Sequence, residues 1–331
     1  MRSSRLLSVT AVAAAGFIAL AGCSSGSSSS SASTTSGSSA SGSSAGNTTI
    51  RIALNNTSDS LPIVVAEKQG FFAKNHITVQ PTTLADITVI PSLLGRQYDV
   101  GFTVAPIFIN AASAGVKAVM ISGNDGDSPT HEGVQVFVGK GISSVADLKG
   151  KRIGSPTLTG NINTATKAWL ATNGVDPKSV QFVQVPTPNM ADELKAGQID
   201  GAEMIYPFIS VAKADGLKSL GDPERSLTSN YLGGTYWAAS SGWAESNPTA
   251  VAGFRTAIKE ADAWIAANNA AAYQDIADYT KVSLSHAKES PLTVYTTDVS
   301  GADLKIWGDA MTKYAGFTKT VDYSTLVYTG K

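Results

Sequence analysis

Ile50-Arg51-Ile52-Ala53-Leu54 alternates apolar and polar positions and is rich in β-branched side chains, a pattern that predicts a strand. Ser60 before Leu61-Pro62 reads as an N-cap with Pro near the first helical position, and Gly70 as the stop. Further strands are predicted at Ile77–Val79, Asp99–Thr103 and Lys117–Ser122, with helical segments at Asp86–Leu94, broken or kinked at Pro91, and from Pro106 to Ala114. The alternation then restarts. Strands at Val134–Val138, Arg152–Ser155, Val180–Val185 and Gly201–Ile205 are interleaved with helices at Val145–Leu148, Asn161–Asn173, Met190–Ala196 and Pro207–Ala214. Gly233–Ala239 reads as a strand again, and the remainder, from Asn247-Pro248 to Tyr314, is nearly all helical. Such alternation predicts two α/β units, each a mostly parallel sheet with helices on both faces. No sequence repeat between the units is evident.

The first 46 residues do not follow this pattern. Arg2 and Arg5 precede an apolar stretch, Leu6 to Leu20, too short for a comfortable membrane span and closed by small residues, as in a secretory signal. Its end, Leu20-Ala21-Gly22-Cys23, resembles the bacterial lipobox, which implies a signal peptide over 1–22 and acylation of Cys23, the only cysteine in the chain. Residues 24–46 are Ser, Gly, Ala and Thr alone, a composition that cannot bury apolar surface and serves as a flexible tether.

Composition narrows the function classes. With 25 Lys+Arg against 26 Asp+Glu, the chain lacks the charge excess of a nucleic-acid binder, and a lone Cys excludes a disulfide framework or a paired-thiolate zinc site. No phosphate-binding G-x-x-x-x-G-K-[ST] and no G-x-S-x-G elbow is present, so neither ATP hydrolysis nor nucleophilic catalysis is indicated. No cofactor is implied. Asn124-Asp125-Gly126-Asp127 with His131-Glu132 gathers metal-capable side chains but lacks Ca²⁺-loop spacing, and is expected to be a solvated polar loop.

Four segments carry a resemblance. Ser60-Leu61-Pro62-Ile63-Val64-Val65-Ala66-Glu67-Lys68-Gln69-Gly70-Phe71-Phe72, Gln97-Tyr98-Asp99-Val100-Gly101, Val145-Ala146-Asp147-Leu148-Lys149-Gly150-Lys151-Arg152-Ile153-Gly154 and Leu194-Lys195-Ala196-Gly197-Gln198-Ile199-Asp200-Gly201-Ala202 occur in the order seen in nitrate/sulfonate/taurine-type solute-binding proteins. That family is also called SsuA/THI5-like or NMT1-like. The resemblance implies an α/β fold of the periplasmic-binding-protein type II kind, with two lobes joined by two crossovers and a ligand cleft between them. Lobe 1 would comprise 47–133 plus 235–331, and lobe 2 would comprise 134–234. It also implies a monomer, exported and lipid-anchored to the outer face of the cell membrane through Cys23, which passes a small-molecule ligand to an ABC permease and its cytoplasmic ATPase. Nucleic acid is not an expected partner. The same fold also carries enzymes; the iron-binding pyrimidine-synthase branch is excluded because its cysteine-rich motif is missing. A receptor-docking, ligand-sensing lipoprotein is the other alternative.

In such a fold, ligand sits at the carboxyl ends of the strands. The expected contacts are therefore Asn55, Asn56, Ser60 and Leu61 after the first strand, Thr83 after the second, and Thr103 and Ala105 after the third. In the second lobe they are Leu158, Thr159, Gly160 and Asn161 at the start of the long helix, and Tyr206. Ser60, Thr159 and Asn161 could equally be helix caps, since capping and ligand contact use the same atoms. These loops contain no Lys or Arg, so an anion would be held by backbone N–H groups and hydroxyls, and a neutral heterocycle fits as well. The family often has a Trp-Glu-Pro or similar triplet where this chain has Ile205-Tyr206-Pro207; Tyr206 would supply a ring face and a hydroxyl. Tyr236 and Trp237 are expected to be packing residues.

Overall fold

A computed structural model describes residues 47–330. The signal segment, Cys23 and the Ser/Gly tether lie outside the described residues. Among those described, no helix is long and apolar enough to cross a membrane.

Among the described residues, eleven strands form two sheets. They are β1 (Thr48–Leu54), β2 (Ile77–Thr83), β3 (Val100–Val104), β4 (Ala118–Asp127), β5 (Val134–Val138), β6 (Arg152–Ser155), β7 (Gln181–Gln184), β8 (Gly201–Ile205), β9 (Lys218–Ser219), β10 (Leu232–Ser240) and β11 (Val294–Tyr295). The first sheet has the order β11-β4-β10-β3-β1-β2 and the second β7-β6-β8-β5-β9. Chain passage from β4 to β5 leaves the first sheet, and passage from β9 to β10 returns to it. Both sheets are mixed, which corrects the expectation of mostly parallel sheets. β10 pairs antiparallel with β3 and β4, and β5 pairs antiparallel with β8 and β9. A strand that enters from the other sheet arrives in the opposite direction, something that local hydrophobic patterning does not encode.

The two sheets share one construction, although no sequence repeat announces it. Arg51 N and Nε donate to Asp99 Oδ2 at 2.9 and 3.0 Å, Nη2 donates to Oδ1 at 2.6 Å, and Nη1 reaches Arg96 O at 3.0 Å. In the second sheet Arg152 N donates to Asp200 Oδ2 at 2.8 Å and Nη2 to Gly197 O at 2.8 Å. Both Arg–Asp pairs are 48 residues apart in sequence. Each Asp returns a backbone bond to its Arg carbonyl at 2.8 Å, which fixes the register of β1 on β3 and of β6 on β8.

Apolar packing follows from these sheets. Trp237 on β10 sits edge-on to Phe102 on β3, with ring centroids 5.8 Å apart, and to Phe254 of helix Pro248–Ala267 at 6.2 Å. Tyr236 and Trp237 are both buried, as expected for packing residues. The second sheet buries Phe137, Leu194, Ala202 and Ile209 in one cluster and Val136, Leu148, Ile153 and Trp169 in another, as alternate residues of β5 face opposite sides.

Candidate functional site

A cavity of about 260 Å³ lies between the two sheets and is lined from both. From the first sheet come the loop after β1, Phe102 and Val104 of β3, and the end of β4; from the second come the turn after β6, the Pro186–Pro188 turn after β7, and Ile205-Tyr206 after β8. The carboxyl ends of β1, β6, β7 and β8 thus converge on one space. Across the cavity, Ser58 Oγ donates to Tyr206 O at 3.2 Å, a direct link between the two sides.

Four of the expected contacts line this cavity: Asn55, Asn56, Asn161 and Tyr206. The others do not, for identifiable reasons. Ser60 is fully buried beneath Asn55 and donates to Asn55 Oδ1 at 2.5 Å, so it neither caps the following helix nor faces the cavity. Leu61 belongs to the apolar core of the first sheet. Thr103 is displaced by strand parity, since Phe102 and Val104 line the cavity and their neighbour points away, and Ala105 opens helix Ala105–Ser113 and is buried in the core. Thr83 is exposed on edge strand β2 and meets Tyr279 OH at 3.1 Å, while Leu84 and Ala85 take the lining position. Leu158 and Thr159 are exposed on the turn outside the cavity wall. Gly160 is buried at the N-cap of helix Asn161–Thr172, where an added Cβ would collide with Thr157 Oγ1.

Asn124–Asp127 is not part of a solvated loop, whereas Pro129 and Thr130, in the turn that follows, are exposed. β4 continues through Asp127 because β10 and β11 flank it, and Asn124, Asp125 and Asp127 are all buried. Among the described residues, no group of three or more His, Cys, Asp or Glu side chains is arranged to hold a metal ion.

The most informative wall residues are acids that went unselected at the level of sequence. Asp59, Asp125, Asp127, Glu132 and Glu224 line the cavity, and no Lys or Arg does. Asn55 Nδ2 and Thr57 Oγ1 donate to Asp59 Oδ2 at 2.9 and 2.8 Å. Thr235 Oγ1 bonds Asp125 Oδ1, and Asn161 Nδ2 donates to Glu224 Oε1 at 3.0 Å. Burial raises the Asp59 carboxyl above its ordinary range, against the pull of those two donors. Burial also raises Asp125, and the neighbouring Asp59 charge adds to the effect. Asp127 is pushed up to about 8 by burial and by the charge of Asp222, with the Gly133 N–H and Arg225 working against the shift. Glu224 is raised by burial and then by Asp127 and Asp222. Asp59 stands in the loop after the first strand, between Asn56 and Ser60, and Asp125 and Asp127 in the polar run Asn124–Asp127. Glu224, within Asp222-Pro223-Glu224, carries only a turn signal in sequence.

Comparison with known proteins agrees with the fold. The Xanthomonas axonopodis pv. citri alkanesulfonate-binding protein SsuA bound to MOPS superposes with a TM-score of 0.74 at 17% identity, over 86% of this chain and 99% of that one. The periplasmic nitrate-binding protein NrtA of Synechocystis gives 0.71 at 15% identity, over 85% of each chain. These likenesses establish the periplasmic-binding-protein fold. By sequence, a Brachyspira hyodysenteriae protein named as an ABC transporter periplasmic binding protein is 37% identical over 95 residues, 28% of this chain and 27% of that protein. The nitrate import ATP-binding protein NrtC of Synechocystis is 25% identical over 177 residues, 47% of this chain and 26% of that protein. The chain spans less than half the length of the curated relatives it matches. Residues 43–280 match the NMT1-like family, and the chain belongs to that family.

Proposed function

We propose that this protein is the solute-binding component of an ABC-type importer. It captures a small organic ligand between lobe 1 (47–133 and 235–331) and lobe 2 (134–234) and delivers it to a membrane permease driven by a cytoplasmic ATPase. The observation that carries the reading is the cavity walled from both sheets at the carboxyl ends of their strands. Asn55, Asn56, Asn161 and Tyr206 are proposed as ligand contacts, joined by the acids of the wall. Ligand would shift the lobes toward the closed arrangement that a permease recognises. The names of the Brachyspira and Synechocystis relatives support an import role.

We further propose that the protein acts as a monomer, is exported, and is held at the outer face of the cell membrane by acyl chains on Cys23, with residues 24–46 as spacer. Mass spectrometry of the mature chain tests this: a lipidated Cys23 is expected, and Cys23→Ser should release the protein from the membrane fraction.

A Haemophilus influenzae relative named as a thiamine biosynthesis protein, 29% identical over 143 residues, favours a second reading as an enzyme on the same fold. Thermal-shift screening separates the two. The purified full chain is mixed with sulfonates, nitrate, thiamine precursors, nucleobases, aromatic acids and amines, and each compound is also checked for conversion. A binder raises the melting temperature by mass action and is recovered unchanged. Turnover of any compound would overturn the binding-protein reading.

A further inference from the structure

The acids of the cavity wall concentrate where the chain crosses between the two sheets. Asp125 and Asp127 end β4, on the outgoing crossover, and Asp222 and Glu224 lie on the returning one. Asp59 faces Asp125 from the loop after β1, and Thr235 of β10, Tyr231 and Tyr295 surround the same carboxyl. Around Asp127 stand Asp222, Glu224 and Arg225, together with the backbone N–H of Gly133. Arg225 is the guanidinium beside them: its Nε donates to Asp222 Oδ2 and its Nη1 to Asn230 O, each at 2.9 Å, while its Nη2 makes no hydrogen bond and stands 3.7 Å from Asp127 Oδ2, an ion pair too long for a hydrogen bond. That Asp127 oxygen accepts no hydrogen bond, although the residue is only 4% exposed and lines the cavity. A buried carboxylate oxygen without a donor is costly, and a bound group that donates to it relieves the cost. Phe102 and Tyr206 line the same space, the Tyr206 ring already carrying Lys213 Nζ 5.9 Å from its centroid.

Resting on the capture reading, we infer that the solute selected by this cavity carries a positive charge, an amine or another protonated nitrogen compound seated against Asp127 and the Asp59–Asp125 pair. Five acids, His131 and no Lys or Arg line the wall, so an anion meets no fixed cationic side chain there, whereas a cation meets carboxyl groups that become its counter-charge as they give up their protons. Proton linkage follows. Asp127, held up at about 8, keeps its proton at neutral pH in the empty cavity. A cation seated beside it displaces that proton, so binding releases protons and tightens as pH rises toward 8.

The test uses two matched series on the purified full chain: benzylamine, benzyl alcohol and benzenesulfonate, then butylamine, butanol and butanesulfonate. At pH 8 the amine of a series should raise the melting temperature more than its alcohol or sulfonate does. Its affinity should increase several-fold from pH 6 to pH 8, and calorimetric heats in two buffers of different ionisation enthalpy should report proton release. Asp127→Asn should lose amine affinity by about tenfold or more, the loss expected for a charge-assisted hydrogen bond, and change alcohol affinity by a much smaller factor. The pH series on the unsubstituted chain carries the test if that variant does not fold. Sulfonates or alcohols bound as tightly as the amines would overturn the charge preference and leave solute capture standing. No shift with any of the six compounds would also overturn it, and the broader screen then decides capture separately.

Discussion

Trp237 Nε1 donates to Asn124 Oδ1 at 2.9 Å, and this one bond sets the orientation of an amide that organises the cavity wall. With its oxygen so fixed, Asn124 Nδ2 donates to Asp59 O at 2.9 Å and to Thr235 Oγ1 at 3.1 Å. Thr235 in turn receives the Asp125 N–H at 3.0 Å and bonds the Asp125 carboxyl. The aromatic core under β10 is thereby connected to both members of the Asp59–Asp125 pair.

Asn124→Ala should therefore leave the indole N–H without its acceptor and the Asp59 carbonyl without its side-chain donor. We expect a loss of about 1–3 kcal/mol in urea unfolding, the usual cost of stranding a buried polar group. Trp237→Phe replaces the indole by a smaller ring, so it strands Asn124 Oδ1 and also leaves a cavity in the core, and should cost at least as much as Asn124→Ala. An Asn124→Ala variant as stable as the parent would break the proposed chain of support.

The paired Arg–Asp clamps predict an unequal response. Asp99 is the better buried partner, with a side chain 11% exposed against 31% for Asp200, and it takes a forked pair from Arg51, whereas Arg152 Nε is 3.8 Å from Asp200. Asp99→Ala should cost about 1–3 kcal/mol. Asp200→Ala should cost less, because solvent screens the wider pair. Chemical denaturation of both variants checks the order.

Asp262, on helix Pro248–Ala267, is raised to about 7 by burial alone, and its Oδ1 has no hydrogen-bond partner. A folded-state value above the unfolded one means that the native state holds the proton more tightly. Its contribution to stability is complete below about pH 4 and is lost as pH rises through about 7. Asp262→Asn should flatten this part of the stability–pH curve and, at pH 8, stabilise the protein by on the order of 2–4 kcal/mol. Melting temperatures from pH 4 to 9 on the two proteins would show it.

Periodicity and caps carried much of the fold: β1, β5, β6, β8 and helix Asn161–Thr172 lie within a residue or two of where the pattern places them. What the pattern omits is strand direction and partner. That β10, which begins 105 residues after β4 ends, runs antiparallel to it is a tertiary fact; the extension of β4 to Asp127 and the two-residue β9 and β11 are facts of the same kind. The site was legible as loops, less so as residues. Asn55 and Asn161 could be placed by topology, yet Thr103 and Phe102 exchange roles through strand parity alone, which is one residue of register. Asp125 was visible as a polar residue in a polar run, and only its pairing with β10 reveals that it is buried.

The central claim, capture of a small solute in the cavity between the sheets, is tested most directly by calorimetric titration of the strongest compound from the thermal screen into the parent chain and into Asn56→Trp. Asn56 lines the cavity yet is exposed, so the indole fills the binding space without disturbing the core. The account predicts one ligand per parent chain and loss of binding in the variant at an unchanged melting temperature. Equal affinity in both proteins would contradict it.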